Sequence, residues 1–296
     1  MGTMTKRLYI TALYCTYAII AFCQTSFTMA KHQGDYFITT VVNGKDSACI
    51  FVESGVPGLL VNEKSYKRLF GNCSYEKVEP KCSEVRGFSV NHNVIRVLRG
   101  KVLIGDLSYQ GNIYVIDNYE KVAVPVHLLK NEKDSTKNMI RLNFKNKTLD
   151  FVGNEIANVD KMNKYKMIDF NPMPVIEATL SLSDAYGNGG LISGKFIFDL
   201  GNSSPLYVTT ANPRMAKFIK TNKYRLSPVK DRSTGKQVGY GIFAVHCLVG
   251  KNKLRDVSIG MTNKISIGDV LGFVGPSLFN KGYVIVDPKN NYIYYE

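Results

Sequence analysis

Two segments of this chain run from an apolar strand straight into an acid and then a glycine. They are Cys49-Ile50-Phe51-Val52-Glu53-Ser54-Gly55-Val56-Pro57 and Phe196-Ile197-Phe198-Asp199-Leu200-Gly201-Asn202-Ser203-Ser204. The acids stand 146 positions apart, and an apolar pair follows each of them, Leu60-Val61 in one copy and Leu206-Tyr207 in the other. The far end of each half repeats as well. Phe144-Lys145-Asn146-Lys147-Thr148-Leu149-Asp150-Phe151 aligns with Pro288-Lys289-Asn290-Asn291-Tyr292-Ile293-Tyr294-Tyr295, each a strand, a polar turn and a second strand, the pattern of a hairpin. Upstream of these, Ala123-Val124-Pro125-Val126-His127-Leu128-Leu129 faces Phe273-Val274-Gly275-Pro276-Ser277-Leu278-Phe279. Offsets of 144 to 150 residues maintained over a whole half indicate one unit copied once, not an array of short repeats.

The local patterns are those of strands. Tyr36-Phe37-Ile38-Thr39-Thr40-Val41-Val42 and Val175-Ile176-Glu177-Ala178-Thr179-Leu180 open the two halves with β-branched and aromatic residues, and turn signals close them, Asn43-Gly44 and Gly187-Asn188-Gly189-Gly190. Short helices are expected at residues 63–70 and 212–220. Residues 152–172 show no clear periodicity and read as a linker. The expected architecture is all-β with short helices, in two duplicated lobes over 24–151 and 173–296.

Residues 1–23 read as a secretory signal peptide. Lys6-Arg7 precedes an apolar stretch over 8–22, and cleavage is expected near Cys23 or Ala30. Export to a periplasm, an outer envelope or the medium follows as an expectation, and no apolar run over 24–296 is long enough to cross a bilayer. Cys49, Cys73, Cys82 and Cys247 then remain. Cys73 and Cys82 bracket a short loop and are candidates for a local disulfide, whereas Cys49 and Cys247 read as small buried hydrophobes. The four histidines, His32, His92, His127 and His246, are scattered without metal-ligand spacing, so neither a metal nor another cofactor is expected. The formal charge of +14 resides on lysines dispersed among asparagines, without the aromatic interleaving of an RNA-binding surface. No nucleic-acid partner is expected. Of the three glycosylation sequons, at Asn72, Asn146 and Asn202, the last would place a glycan beside the second acid, which argues against its use.

These motifs resemble the pepsin/retropepsin-type aspartic peptidases, specifically the bacterial exported kind with two retropepsin-like lobes on one polypeptide. The resemblance spans nearly all of the chain after the leader. It is carried by Ile197-Phe198-Asp199-Leu200-Gly201, the following strand Leu206-Tyr207-Val208, and Phe273-Val274-Gly275 with its closing hairpin. It implies a cleft between the lobes, a monomer, and an extended peptide or unfolded protein as substrate or ligand. Asp199 and Glu53 would form the catalytic pair, with Gly55, Gly201, Ser54 and Ser203 in support and Tyr240 on a hairpin covering the cleft.

The chemistry such a pair performs needs two carboxylates close enough to share one proton, one activating water while its partner hydrogen-bonds the scissile carbonyl. Three departures from the family pattern bear on it. Glu53 replaces an aspartate, Leu200 replaces a hydroxyl residue that would cross to the opposite loop, and Pro125 stands where the other lobe has Gly275. Each residue also has a plainer reading: Asp199 as a turn-former, Glu53 as a solvated loop acid, Ser203 and Ser204 as loop-bonding hydroxyls with no base to activate them, and Gly239-Tyr240-Gly241 as an ordinary bend. Two function classes stay open, an exported aspartic endopeptidase with an unusual Glu/Asp dyad, and a catalytically inactive homologue that binds peptide or another ligand or serves as a structural envelope protein.

Overall fold

The computed structural model describes residues 26–32, 35–71, 73–86, 91–153, 158–168, 173–230, 237–279 and 282–296. The expected leader over 1–23 and the Asn72 sequon lie outside them. The described chain is mostly strand, and its two halves repeat one another element by element.

Each half begins with an antiparallel hairpin. In the first, Asp35–Val42 pairs with Asp46–Glu53, Val42 opposite Asp46 and Phe37 opposite Phe51. Asn43 and Gly44 turn the corner at φ values of 51° and 65°, the left-handed backbone that an Asn-Gly hairpin turn requires. In the second, Val175–Asp184 pairs with Gly189–Phe198, and the Asp184 carboxylate accepts the N–H groups of Tyr186 (2.9 Å) and Asn188 (3.0 Å) to hold the turn.

The strand that ends in each acid is buried by its neighbours. Val122–Pro125 runs parallel to Asp46–Glu53 and antiparallel to Leu59–Asn62. Val270–Val274 does the same between Gly189–Phe198 and Leu206–Thr209. These inserted strands are buried on both faces, which accounts for their continuous apolar sequence. Among the described residues each half then carries one short α-helix, Glu63–Phe70 and Pro213–Thr221. Asn62 and Asn212 cap them, the Asn62 side chain accepting from Ser65 N (2.7 Å) and that of Asn212 from Arg214 N (2.9 Å).

Six strands knit the halves together, in the order Ser26–Thr28, Thr148–Val152, Met139–Asn143, Tyr283–Asp287, Tyr292–Tyr295, Asn163–Ile168. Three come from each half. Met139–Asn143 and Tyr283–Asp287 meet at the centre, Ile140 opposite Val286 and Leu142 opposite Val284. The two closing hairpins expected from the sequence are those strand pairs, each turning through a residue of positive φ, Lys147 at 55° and Asn291 at 59°.

Asn163–Ile168 falls in the segment read as a linker. It pairs with Tyr292–Tyr295 and with Val175–Asp184, as Ser26–Thr28 pairs with Thr148–Val152 on the other side. Tyr165 and Met167 point inward two residues apart, so a strand period was present but too short to stand out. A single buried cluster runs from Met29 to Tyr295 through both halves. No helix among the described residues is long and apolar enough to cross a membrane.

The cysteines depart from expectation. All four are free thiols, so the bridge expected between Cys73 and Cys82 is not formed. Cys73 closes the end of the first helix, its N–H donating to Phe70 O (2.8 Å) and its thiol beside Tyr75, while Cys82 is exposed on the wall of the cleft described below. Cys49 is exposed as well, because it lies on the outward side of its strand between Ala48 and Ile50, which both point in. Only Cys247 is buried, and burial pushes its thiol up to about 12. Thiol-specific labelling of the native protein is expected to modify Cys49 and Cys82 and to reach Cys247 only after unfolding. Recovery of a linked Cys73–Cys82 peptide, or native labelling of Cys247, would contradict this.

Candidate active site

Glu53 and Asp199 occupy the same place in the two halves, each at the carboxyl end of its buried strand. The surrounding strands hold the backbone there. Pro125 stands in register with Glu53, and Asp199 N donates to Val274 O (2.9 Å). Both acids are buried, Glu53 5% and Asp199 6% exposed, so neither is a solvated loop acid.

The two carboxylates meet. Gly201 N–H donates both to Asp199 Oδ1 and to Glu53 Oε1, each at 3.0 Å. Glu53 Oε1 also accepts Ser54 N–H (2.8 Å) and Gly55 N–H (3.0 Å) from its own loop. The additional methylene of glutamate is what allows one oxygen to serve its own loop and the opposite glycine together.

The glycines explain how the acids come so close. A Cβ on Gly55 would lie 2.8 Å from both Cγ and Oδ1 of Asp199, and one on Gly201 would overlap Glu53 Oε2. Each loop thus packs its bare glycine against the carboxylate of the other half.

Asp199 holds its proton well above the usual carboxylate range. Burial is the largest cause, followed by the Glu53 charge and the hydrogen bond with the Glu53 carboxyl, against the opposing pull of N–H groups from Gly201 and Asn202. Three N–H groups converge on Glu53 Oε1. Burial and the neighbouring carboxylate thus favour the protonated form of Asp199.

Ser54 is fully buried, and its hydroxyl crosses to the other half. It donates to Phe198 O (2.7 Å) and accepts from Leu200 N–H (2.9 Å). The reciprocal hydroxyl is missing at Leu200, as its side chain requires, yet Ser54 keeps both of its bonds. The crossing needs only backbone atoms, which are present whatever side chain residue 200 carries. Leu200 sends no hydroxyl back, and its side chain is buried in the core.

The third departure changes the loop above it more than the support itself. In both halves the inserted strand ends in a tight helical turn, Val126–Leu128 after Pro125 and Pro276–Phe279 after Gly275. The second acid loop, from Asp199 to the strand at Leu206, is one residue longer than the first, from Glu53 to Leu59. It presses onto Gly275, where a Cβ would overlap the carbonyl oxygens of Asn202 and Ser204. Asn202 is itself buried, its amide donating to Phe273 O (3.4 Å) and accepting from Ser204 N–H (3.1 Å), an environment that leaves no room for a glycan. Ser203 is exposed on the outside of this loop, its carbonyl accepting from the Ser277 hydroxyl (3.1 Å).

Glu53 and Asp199 form the floor of a cavity of about 600 Å³. Val85, His92 and Tyr119 line it from the first half, Ile265, Ile267 and Phe273 from the second. Tyr240 is not among its lining residues. It is half exposed in a strand where it pairs with Pro228 and Met261. Among the described residues, the hairpin strands beside the cleft are those of the first half, Glu84–Arg86 paired with Asn91 to Asn93.

Tyr119 is the site residue that the sequence concealed. Its ring packs edge-on against His92 at 5.2 Å, its carbonyl accepts the Asn62 amide (2.6 Å), and its hydroxyl is pushed up by burial and by the charges of Glu53 and Asp35. It lies in an unpatterned turn far along the chain from either acid motif, so neither periodicity nor spacing marks it.

Neither a scan against protein-family models nor a search of curated proteins finds a match to this sequence. Among solved structures, the aspartic proteinase from Irpex lacteus superposes on 92% of this chain and 96% of its own length, with a TM-score of 0.57 at 13% identity. Identity so low shows shared architecture alone, and the chain accordingly has a two-lobed β fold similar to that of an aspartic proteinase, with one carboxylate from each half at the junction.

Proposed function

We propose that this protein is an aspartic endopeptidase that holds an extended peptide between its halves and cleaves it with a Glu53/Asp199 dyad. The observation that carries this reading is the single Gly201 N–H donating to both carboxylates. In the reaction, Glu53 takes a proton from a water whose oxygen attacks the scissile carbonyl carbon, while Asp199 gives its proton to the carbonyl oxygen. Collapse of the tetrahedral diol returns a proton to the amide nitrogen and breaks the C–N bond. The basic and apolar leader supports export, and hence a substrate met outside the cytoplasm.

A one-sided clasp favours a second reading. Leu200 leaves the Glu53 loop without a hydroxyl from the opposite side, so a binding protein that keeps the cleft and has lost turnover is the alternative. Asp199→Asn separates the two. Under the peptidase reading it lowers cleavage of unfolded protein by on the order of 10²- to 10⁴-fold, and the wild type shows a bell-shaped acid-side profile, limited at one end by full protonation of the pair and at the other by loss of its shared proton. Wild-type protein that binds peptide but cleaves none between acid and neutral pH supports the binder.

Stability supplies a test independent of turnover. The Asp199 proton is held more tightly in the folded protein than in the unfolded chain. Its contribution is therefore complete below the ordinary carboxylate range and is lost as pH rises through the raised folded value. Asp199→Asn carries no such charge, so the melting temperature of the wild type is expected to fall relative to the variant as pH rises. The opposite trend would show that Asp199 is ionised in the pair.

A further inference from the structure

We propose that a second cavity beside the cleft is a carboxylate-binding subsite, and that the peptides this protein takes carry an acidic side chain or a free C-terminus within a few residues of the dyad. The inference rests on the peptide-cleft reading above. The second cavity measures about 590 Å³ and shares Pro57 and Met173 with the acid cleft, so a chain leaving the acids past Pro57 enters it.

Its charged lining consists of Lys81 and Arg99, with no carboxylate among the described lining residues. Neither Lys81 nor Arg99 makes an ion pair with a described residue. Arg99 stands opposite Glu76 in strand register, yet its Nε donates to Asn112 Oδ1 (3.1 Å), and Lys81 is exposed. Gln110 and Asn112 add amides to the same wall. The cleft proper has the opposite character, lined by Glu53, Glu84 and Asp199. An acidic group on the peptide is repelled from the dyad and attracted next door, which fixes the direction and register in which the peptide lies.

The test is fluorescence anisotropy with labelled peptides of one apolar core, in an Asp199→Asn background so that none is consumed. Peptides with glutamate at successive positions are compared with their glutamine counterparts, each with a free and an amidated C-terminus. Glutamate at one position, or the free C-terminus, is expected to tighten binding about tenfold at low salt, and added salt to erode the gain. The position effect identifies a side chain as the ligand, the amidation effect a chain end. Lys81→Gln with Arg99→Gln should abolish the preference, and Lys81→Glu with Arg99→Glu should transfer it to lysine peptides. Equal binding of acidic and neutral peptides overturns the subsite while leaving the cleft reading intact. Absence of binding by every peptide removes both.

Discussion

Under the peptidase proposal, Gly201→Ala is expected to lower peptide hydrolysis by about a hundredfold or more in a protein that still folds. The new Cβ overlaps Glu53 Oε2, the far end of a flexible side chain, and the carboxylate can swing aside at little cost to the fold. The proposed dyad cannot absorb that movement. Displacement of a catalytic group by about 1 Å is sufficient for a loss of this order, and the swing also breaks the hydrogen bond from Gly201 N to Glu53 Oε1. Cleavage assays paired with a thermal melt check the prediction, since full activity in a folded Gly201→Ala protein would mean that the two carboxylates do not act together. Gly275→Ala provides the contrast. There the overlapping atoms are the carbonyl oxygens of Asn202 and Ser204, backbone that cannot rotate away, so the loss is expected in stability before activity.

Ser54→Ala is expected to be the most destabilising single-atom deletion at the junction. It removes the acceptor of Leu200 N–H and the donor to Phe198 O, both from a region closed to water. A buried polar group left without a partner costs about 1–3 kcal/mol, and two are left here. Against a total stability of about 5–15 kcal/mol this is a large fraction, and it should lower the melting temperature by roughly 5–10 °C. Leu200→Thr is not expected to strengthen Ser54, whose two bonds are already made to backbone, and it places a hydroxyl in the core site that the leucine fills. A Ser54→Ala melt within a degree or two of wild type would show that the crossing hydroxyl does not hold the halves together.

These effects show where a sequence stops being informative. The duplication, the placement of Glu53 and Asp199 at matching strand ends, both short helices and both closing hairpins could be read directly, because each is written in a few adjacent residues whose polarity and turn chemistry dictate local backbone. The strand Asn163–Ile168 was just below that threshold, with only two inward residues to mark its period. Other features depend on atoms far apart in the chain. The hydroxyl of Ser54 bonds to backbone 144 and 146 positions away, and backbone atoms leave no trace in side-chain identity. Tyr119 joins the cleft only because the fold carries its turn beside Glu53, and Cys73 and Cys82 are near in sequence yet occupy a helix end and a cleft wall. The sequence determined by itself that two carboxylates would be presented, one from each half, because strand and turn signals act over a few residues; the tertiary structure alone decided that a shared N–H and a crossing hydroxyl would join the two loops, because those interactions link atoms that only the packed halves bring within reach.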